Sequence, residues 1–277
     1  MGRESHERGQ EAETAGGSGA TVASPPASAT PLGSLAWASA VGNRAVQRYA
    51  RRRVLARLTP QEILEQYQVH EDTVEEWSPK AWGVIPIPGA GSRMLTSTEG
   101  ELLDSLTVSR GLVGLSAFRD IAEDASGRAR REYPHSTAPP SYVPADRKEE
   151  WRNNDGHRDA FRHCFWNARL TKEFGIGWTR QFTTAHEALP DNSAARESMD
   201  LFNNERGREI ARDNPDATVD ELATLVKAAV TDGRLVVVDQ AGNLAWSNAV
   251  ALWEHGLAPE AARAGVLAVP AGDASVD

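Results

Sequence analysis

Large apolar side chains are almost absent from residues 1–33, where Gly, Ser, Ala, Pro, Thr and Glu dominate. Such a segment buries too little surface to offset the entropy of ordering it, so it is expected to be a disordered leader. From Ser34 to Leu58 the pattern changes: Leu35, Trp37, Val41, Val46, Tyr49, Val54 and Leu58 fall at helical spacing, with Gly42-Asn43 as a break. Thr59-Pro60-Gln61-Glu62 then opens another short helix, because Thr59 suits an N-cap, Pro60 the first turn and Glu62 the far side of a capping box. Residues 79–93 are rich in Pro and Gly and read as a link between a helical leader or docking segment, 34–78, and a second domain, 94–269.

Within that domain the 3.6-residue period predominates. Thr98-x-x-Glu101 reads as a second capping box, followed by Leu102, Leu103 and Leu106. A further helix is expected over Leu112–Ala125, ending near Ser126-Gly127, and Pro134–Pro144 reads as a loop. A Trp-rich helical stretch runs from about 155 to 212, and 220–231 forms another helix stopped by Asp232-Gly233. Arg234–Asp239 is β-branched and is separated by Gln240-Ala241-Gly242-Asn243 from Leu244–Ser247, which reads as a β-hairpin. The expected fold is mainly α, with one small hairpin near the C-terminus and a frayed tail at 270–277.

Charge and composition narrow the classes. The formal net charge is −9 over 277 residues, a field that does not steer the chain to phosphate backbones and so disfavours nucleic acid as a partner. The single cysteine, Cys164, allows no disulfide within the chain. The N-terminus carries no apolar stretch of the kind that forms a secretory signal, and no apolar run reaches the roughly 18 residues of a membrane span. The expectation is a protein made in the cytoplasm, without stable membrane insertion.

Candidate chemistry lies between Asp155 and Arg208. In DGHRDAFRHCFWNARLTKEFG, Asp159, Arg162, His163, Trp166 and Asn167 share one helical stripe, while Phe161, Cys164, Phe165 and Ala168 form an apolar one. In ESMDLFNNERGREIA the same spacing places Asp200, Asn203, Asn204, Gly207 and Arg208 together, and His186-Glu187 lies between the two segments. Gly207 inside a helix costs about 1 kcal/mol relative to Ala, and close approach of another helix is the natural reason for it. Each residue alone has a bland reading: an intrahelical ion pair for Asp159 with Arg162, a cap or cross-link for Asn203 and Asn204, a surface site for His186-Glu187. The joint pattern is what points to a site.

Two resemblances bear on it. SAVGNRAVQRYARRR, through Gly42, Asn43, Ala45, Val46 and Arg48, resembles the GN-x-AV-x-R leader of proteins associated with actinobacterial extracellular contractile injection systems. That likeness implies loading into a phage-tail-like particle through residues 34–58 and delivery to a target cell. The pattern DAFRH-x-x-WNA … AHE … MDL-x-NN-x-x-GR, over roughly Glu99 to Trp246, resembles an uncharacterised family of domains at the C-terminal ends of predicted bacterial toxins and effectors. With it comes an immunity protein as a further candidate partner.

No nucleophilic Ser elbow, phosphate-binding Gly loop or HExxH pattern is present. Two schemes remain, both hydrolytic. In one, His163 is general base, oriented by Asp159, with Arg162 or Arg208 stabilising developing negative charge and Asn167, Asn203 and Asn204 placing substrate. In the other, His163, His186 and Asp200 hold a divalent metal ion and Glu187 is the base. An effector that attacks the cell envelope (lipid, lipid-linked precursor or peptidoglycan) fits the acidic balance better than a metal-dependent nuclease. A non-enzymatic cargo or structural protein of the particle, its polar residues forming a buried network, is the reading from another class. Deleting residues 34–58 should abolish co-purification with a contractile particle and leave the toxicity of the free domain intact; survival of loading would refute the docking role.

Overall fold

The computed structural model describes residues 58–259 apart from positions 136 and 191. The readings at 1–33 and 270–277, and all but the last residue of 34–58, lie outside the described residues. The described residues belong to one compact unit.

Helix α1 (Pro60–Gln66) starts as its sequence dictates: Thr59 accepts from Glu62 N, Glu62 reaches back to the cap, and Pro60 occupies the first turn. Its Ile63 is fully buried. Strand β1 (Val74–Trp77) pairs antiparallel with β4 (Arg93–Thr96), Val74 opposite Thr96, across a two-residue pairing of β2 (Lys80–Ala81) with β3 (Ile85–Pro86). The stretch 79–93 is thus the excursion between two paired strands.

Helix α2 (Ser97–Glu132) differs from expectation at both ends. Its capping box is Thr96 with Glu99, two residues before the expected Thr98 and Glu101. Both registers satisfy the T-x-x-E pattern; strand β4 ends at Thr96, and Glu99 is held in the interior, where its carboxylate meets His186. Instead of ending near Gly127 the helix runs to Glu132, because Ala122, Ala125, Ser126 and Ala129 form a small-residue face that buries against α4. The break between the two expected helices survives as a kink at Gly111, φ 65°.

After the loop around Pro134–Pro144, a 3₁₀ turn (Ala145–Arg147) and short α3 (Lys148–Asn153) lead into α4 (His157–Phe174). Helices α5 (Ile176–Glu187), α6 (Ala194–Asp213) and α7 (Val219–Thr231) follow, then the antiparallel pair β5 (Val236–Val238) and β6 (Leu244–Trp246). The mainly α class with a hairpin near the C-terminus is what the residue pattern predicts. Helix α4 is the axis: α2, α5, α6, α7 and β5 all contact it, α6 most extensively. Asp155, at φ 68°, turns the chain into α4; its backbone N–H donates to Asp159 Oδ2 at 2.8 Å and its carbonyl accepts from Val238 N at 2.9 Å. A short polar side chain tolerates this left-handed conformation, and here its carboxylate is fixed by Arg196 at 2.7 and 2.9 Å.

Gly207 sets the α4–α6 crossing. A Cβ there would lie 2.0 Å from the Cys164 carbonyl oxygen and 2.9 Å from Asn167 Cβ. Cys164 is fully buried, and burial pushes its thiol well above the ordinary range, so it packs as a small apolar residue. Gly207→Ala should therefore lose about 2–3 kcal/mol by overpacking, although Ala is the better helix former by about 1 kcal/mol. Gly177→Ala in α5, where a Cβ meets nothing within 4 Å, should gain stability. Thermal melting of both checks the pair, and a neutral Gly207→Ala would show that the helices do not cross at this point.

Candidate functional site

The α4–α6 crossing places the two polar stripes face to face. His163 Nε2 lies 3.5 Å from Asp159 Oδ1 and 3.5 Å from Asp200 Oδ1; Nδ1 lies 3.3 Å from Asn204 Oδ1 and 3.6 Å from Glu187 Oε1. The four ionisable side chains are 2–6% exposed. Arg162 Nη2 donates to Asp159 Oδ1 at 2.6 Å.

A chain of hydrogen bonds fixes which atoms of this cluster carry protons. Arg208 has only donors, and its Nη1 lies 2.8 Å from Asn167 Oδ1, so that atom is the amide oxygen. Asn167 Nδ2 then donates to Asn204 Oδ1 at 2.5 Å, and Asn204 Nδ2 donates to Glu187 Oε1 at 3.0 Å. The Asn204 oxygen is therefore what faces His163 Nδ1. An acceptor opposite a ring nitrogen requires N–H there, which places the proton of the neutral imidazole on Nδ1 and leaves a bare lone pair on Nε2. That lone pair points into the space shared with two carboxylate oxygens, and Asp200 Oδ1 is buried with no hydrogen-bond donor among the described residues.

The electrostatics follow from this crowding. Burial, reinforced by Arg162 and His186, holds His163 well below the ordinary histidine value, so it is neutral near pH 7. Burial pushes Glu187 up to about 7, opposed by His186 and the Asn204 hydrogen bond. Burial also pushes the Asp200 carboxyl well above the usual carboxylate range, and the neighbouring Glu187 and Asp159 add to it.

Not every residue expected at the site joins it. Asp159, His163 and Asp200 offer ligand atoms within 4.8 Å of one another and together can hold a metal ion. His186, expected as a metal ligand with His163 and Asp200, instead directs Nδ1 to Glu99 Oε1 at 2.8 Å, so Asp159 takes its place in the converging set. The reason is the register of α2, whose capping Glu99 projects to the end of α5. Asn203 faces away: its amide exchanges two hydrogen bonds with the Val236 backbone, at 2.9 and 3.1 Å, and clamps β5. Asn167 and Arg208 sit behind the imidazole and orient it through Asn204. Sequence reasoning missed Glu99, Asp155, Thr183 and Arg196, although the Asp155-Gly156 turn directly before a helix is a signal that marks Asp155 as the neighbour of Asp159. Thr183 Oγ1 lies 2.9 Å from Asn167 Oδ1 and 3.0 Å from Arg208 Nη1.

Access is narrow. Above the cluster, Ala122, Ala125, Ser126, Arg162, Trp166 and His186 line a surface dimple with room for little more than a water molecule. The residues converge as an active centre requires, but at the floor of an almost closed surface.

Burial alone would hold His186 low; the charge and hydrogen bond of Glu99 outweigh it and push the imidazole up to about 9. A raised value means that the stabilisation is fully present below the ordinary histidine value near 6.5 and is lost as pH rises through about 9. Such a shift corresponds to at most about 3 kcal/mol. His186→Gln should be less stable than wild type at pH 6, and the gap should close by about pH 10. Denaturant melts of both proteins across that interval test it; a gap that does not vary with pH would show that Glu99 does not hold a charged imidazole.

Comparison with known sequences places a family on this same stretch. Residues 119–234 match DUF6973, a domain of unknown function. No curated protein and no solved structure matches the chain. The matched stretch runs from the second half of α2 to the start of the C-terminal hairpin and contains Asp159, His163, Glu187, Asp200, Asn204 and Arg208, so the helices that build the cluster are the part of the chain similar to that family.

Proposed function

We propose that this domain is a hydrolase centred on a divalent metal ion bound by Asp159, His163 and Asp200, and that it serves as an effector against the cell envelope. The observation that carries the metal is His163 Nε2 facing two carboxyl oxygens, each at 3.5 Å, one of which, Asp200 Oδ1, is buried without a hydrogen-bond partner among the described residues. These separations are too long for hydrogen bonds. They fit the edges of a tetrahedral site, where metal–ligand bonds of about 2.1 Å separate neighbouring ligands by about 3.4 Å. Asn204 would be the partner that fixes the ligand tautomer, as outer-shell groups do for metal-bound histidine. Such an ion supplies an activated water and a Lewis acid.

The chain's own residues supply the rest. Glu187, pushed up to about 7, is suited to take a proton from water and return it to a leaving group near neutral pH. Arg162 and His186 line the opening and are the cations that would meet negative charge developing on a substrate oxygen. Delivery by a contractile particle rests on the GN-x-AV-x-R likeness of residues 42–48. The acidic overall charge favours an envelope target over nucleic acid.

The near-closure of the surface favours a second reading, in which the same residues form a buried network that fixes how α4 and α6 pack. The two readings separate on Asp200→Asn and His163→Ala. For a metal hydrolase, wild-type protein binds about one equivalent of Zn²⁺ or Mn²⁺ and melts at higher temperature with it, by mass action. Both variants lose metal uptake and toxicity on expression in a bacterial periplasm while staying folded. Variants that unfold, at a cost of about 1–3 kcal/mol for an unpaired buried partner, with a wild type that takes up no metal, would instead support the network.

A further inference from the structure

The cluster is nearly sealed, yet a metal site must exchange its ion with solvent, so something at its surface has to move. The hydrogen bonds of Asp159 point to the group. Its Oδ2 accepts from the Asp155 backbone N–H at 2.8 Å, and its Oδ1 accepts from Arg162 Nη2 at 2.6 Å. Oδ1 is also the oxygen that faces His163 Nε2 at 3.5 Å, so the atom that would bind the ion already holds a guanidinium. A dication about 2.1 Å from this oxygen would stand less than about 5 Å from Arg162 Nη2, with little water to screen the repulsion.

One of the two partners of Asp159 has to yield. Asp155 is locked: its carbonyl accepts from Val238 N at 2.9 Å, and its carboxylate is gripped by Arg196 Nε and Nη2, at 2.9 and 2.7 Å, and by Ala258 N at 2.9 Å. Asp159 therefore keeps Oδ1 turned toward the cluster. Arg162 is different, because its side chain is 24% exposed, against 2% for Asp159, and ends a stem with many rotamers.

The same side chain helps to close the surface. Of the residues that line the dimple, Ala122, Ala125 and Ser126 are small and fixed on α2. Trp166 packs on Phe118 and Phe182, with ring centroids 6.3 and 6.2 Å away, and His186 is tied to Glu99 at 2.8 Å. That leaves Arg162, long and partly exposed, as the wall that can swing.

We infer that Arg162 is the gate of the metal site: an incoming divalent ion displaces its guanidinium from Asp159 Oδ1, the side chain swings into solvent, and the dimple opens toward the cluster. This rests on the metal-hydrolase reading and adds how that site is regulated, closed without its ion and open with it. The exchange trades one cation for another, so neither state leaves the buried Asp159 carboxylate uncompensated.

The cysteine content makes a reporter available. Cys164, the single cysteine of the chain, is fully buried and its thiol is pushed well above the ordinary range, so it is inert. Ser126→Cys places a second thiol in the wall of the dimple, at a position 4% exposed. In full-length protein its reaction with a small methanethiosulfonate reagent should be slow, and saturating Mn²⁺ should accelerate it about tenfold or more, because the rate follows the open population. Adding Asp200→Asn, which removes a ligand and keeps Arg162, should abolish the acceleration. Adding Arg162→Ala instead should make labelling fast with or without Mn²⁺. It should also tighten Mn²⁺ binding in calorimetry, since the competing cation is gone; looser binding would show that Arg162 only braces Asp159.

Mn²⁺ bound at about one equivalent with unchanged labelling would overturn the gate and leave the metal site standing. Absence of Mn²⁺ uptake would overturn the gate and the metal site together. Acceleration that persists with Asp200→Asn would show that the ion acts elsewhere. Fast labelling of the Ser126→Cys protein without Mn²⁺, or slow labelling once Arg162→Ala is added, would show that Arg162 does not close the surface. Should Arg162→Ala fail to fold, the Mn²⁺ response of the Ser126→Cys protein, which retains Arg162, decides alone.

Discussion

The structure depends on one close approach, that of α6 to α4 at Gly207. A methyl group there would stand 2.0 Å from a backbone carbonyl, a contact no side-chain rotation relieves. Because the two backbones meet at this point, residues one and two turns earlier on each helix are brought opposite one another. Asn204 comes to His163, and Asp200 comes to Asp159. A wider crossing would let each polar stripe face water separately, and each would then be an ordinary amphipathic surface. The glycine thus converts two solvent-like faces into one buried cluster.

Burying that cluster is expensive, and the chain offsets the cost in a directional way. Four ionisable groups share a space almost without water, and the Coulomb repulsion among three carboxylates is met by Arg162 on one side and a protonated His186 on the other. The amides of Asn167 and Asn204 cannot neutralise charge, but they transmit orientation. Arg208, a pure donor, sets Asn167, which sets Asn204, which sets the imidazole. Asp200 Oδ1, buried without a hydrogen-bond partner among the described residues, lies 3.5 Å from His163 Nε2.

The location of the site on the surface is decided by α2. Its long, small-residue half closes over α4 and leaves only the Arg162–His186 dimple. Leu103 before the Gly111 kink and Leu112, Leu115 and Phe118 after it line an apolar cavity.

Periodicity and local chemistry in the sequence were enough for the helical class, the starts of α1 and α7, the C-terminal hairpin, and the membership of Asp159, His163, Glu187, Asp200 and Asn204 in one cluster, because each depends on neighbours three or four residues away or on the need to explain Gly207. What the sequence left open is every choice between equivalent local solutions. T-x-x-E occurs twice between residues 96 and 101, and only strand pairing selects the first. Gly127 stops a helix in isolation but not one whose small-residue face is covered. Asn203 and Asn204 are adjacent and chemically identical, and helix phase sends one to clamp β5 and the other to the imidazole. His186 carries the same ligand chemistry as His163, yet Glu99, 87 residues distant in the chain, claims it. These outcomes were decided by tertiary structure because they turn on which long-range partner reaches a group first, and a local pattern carries no record of distance across the fold.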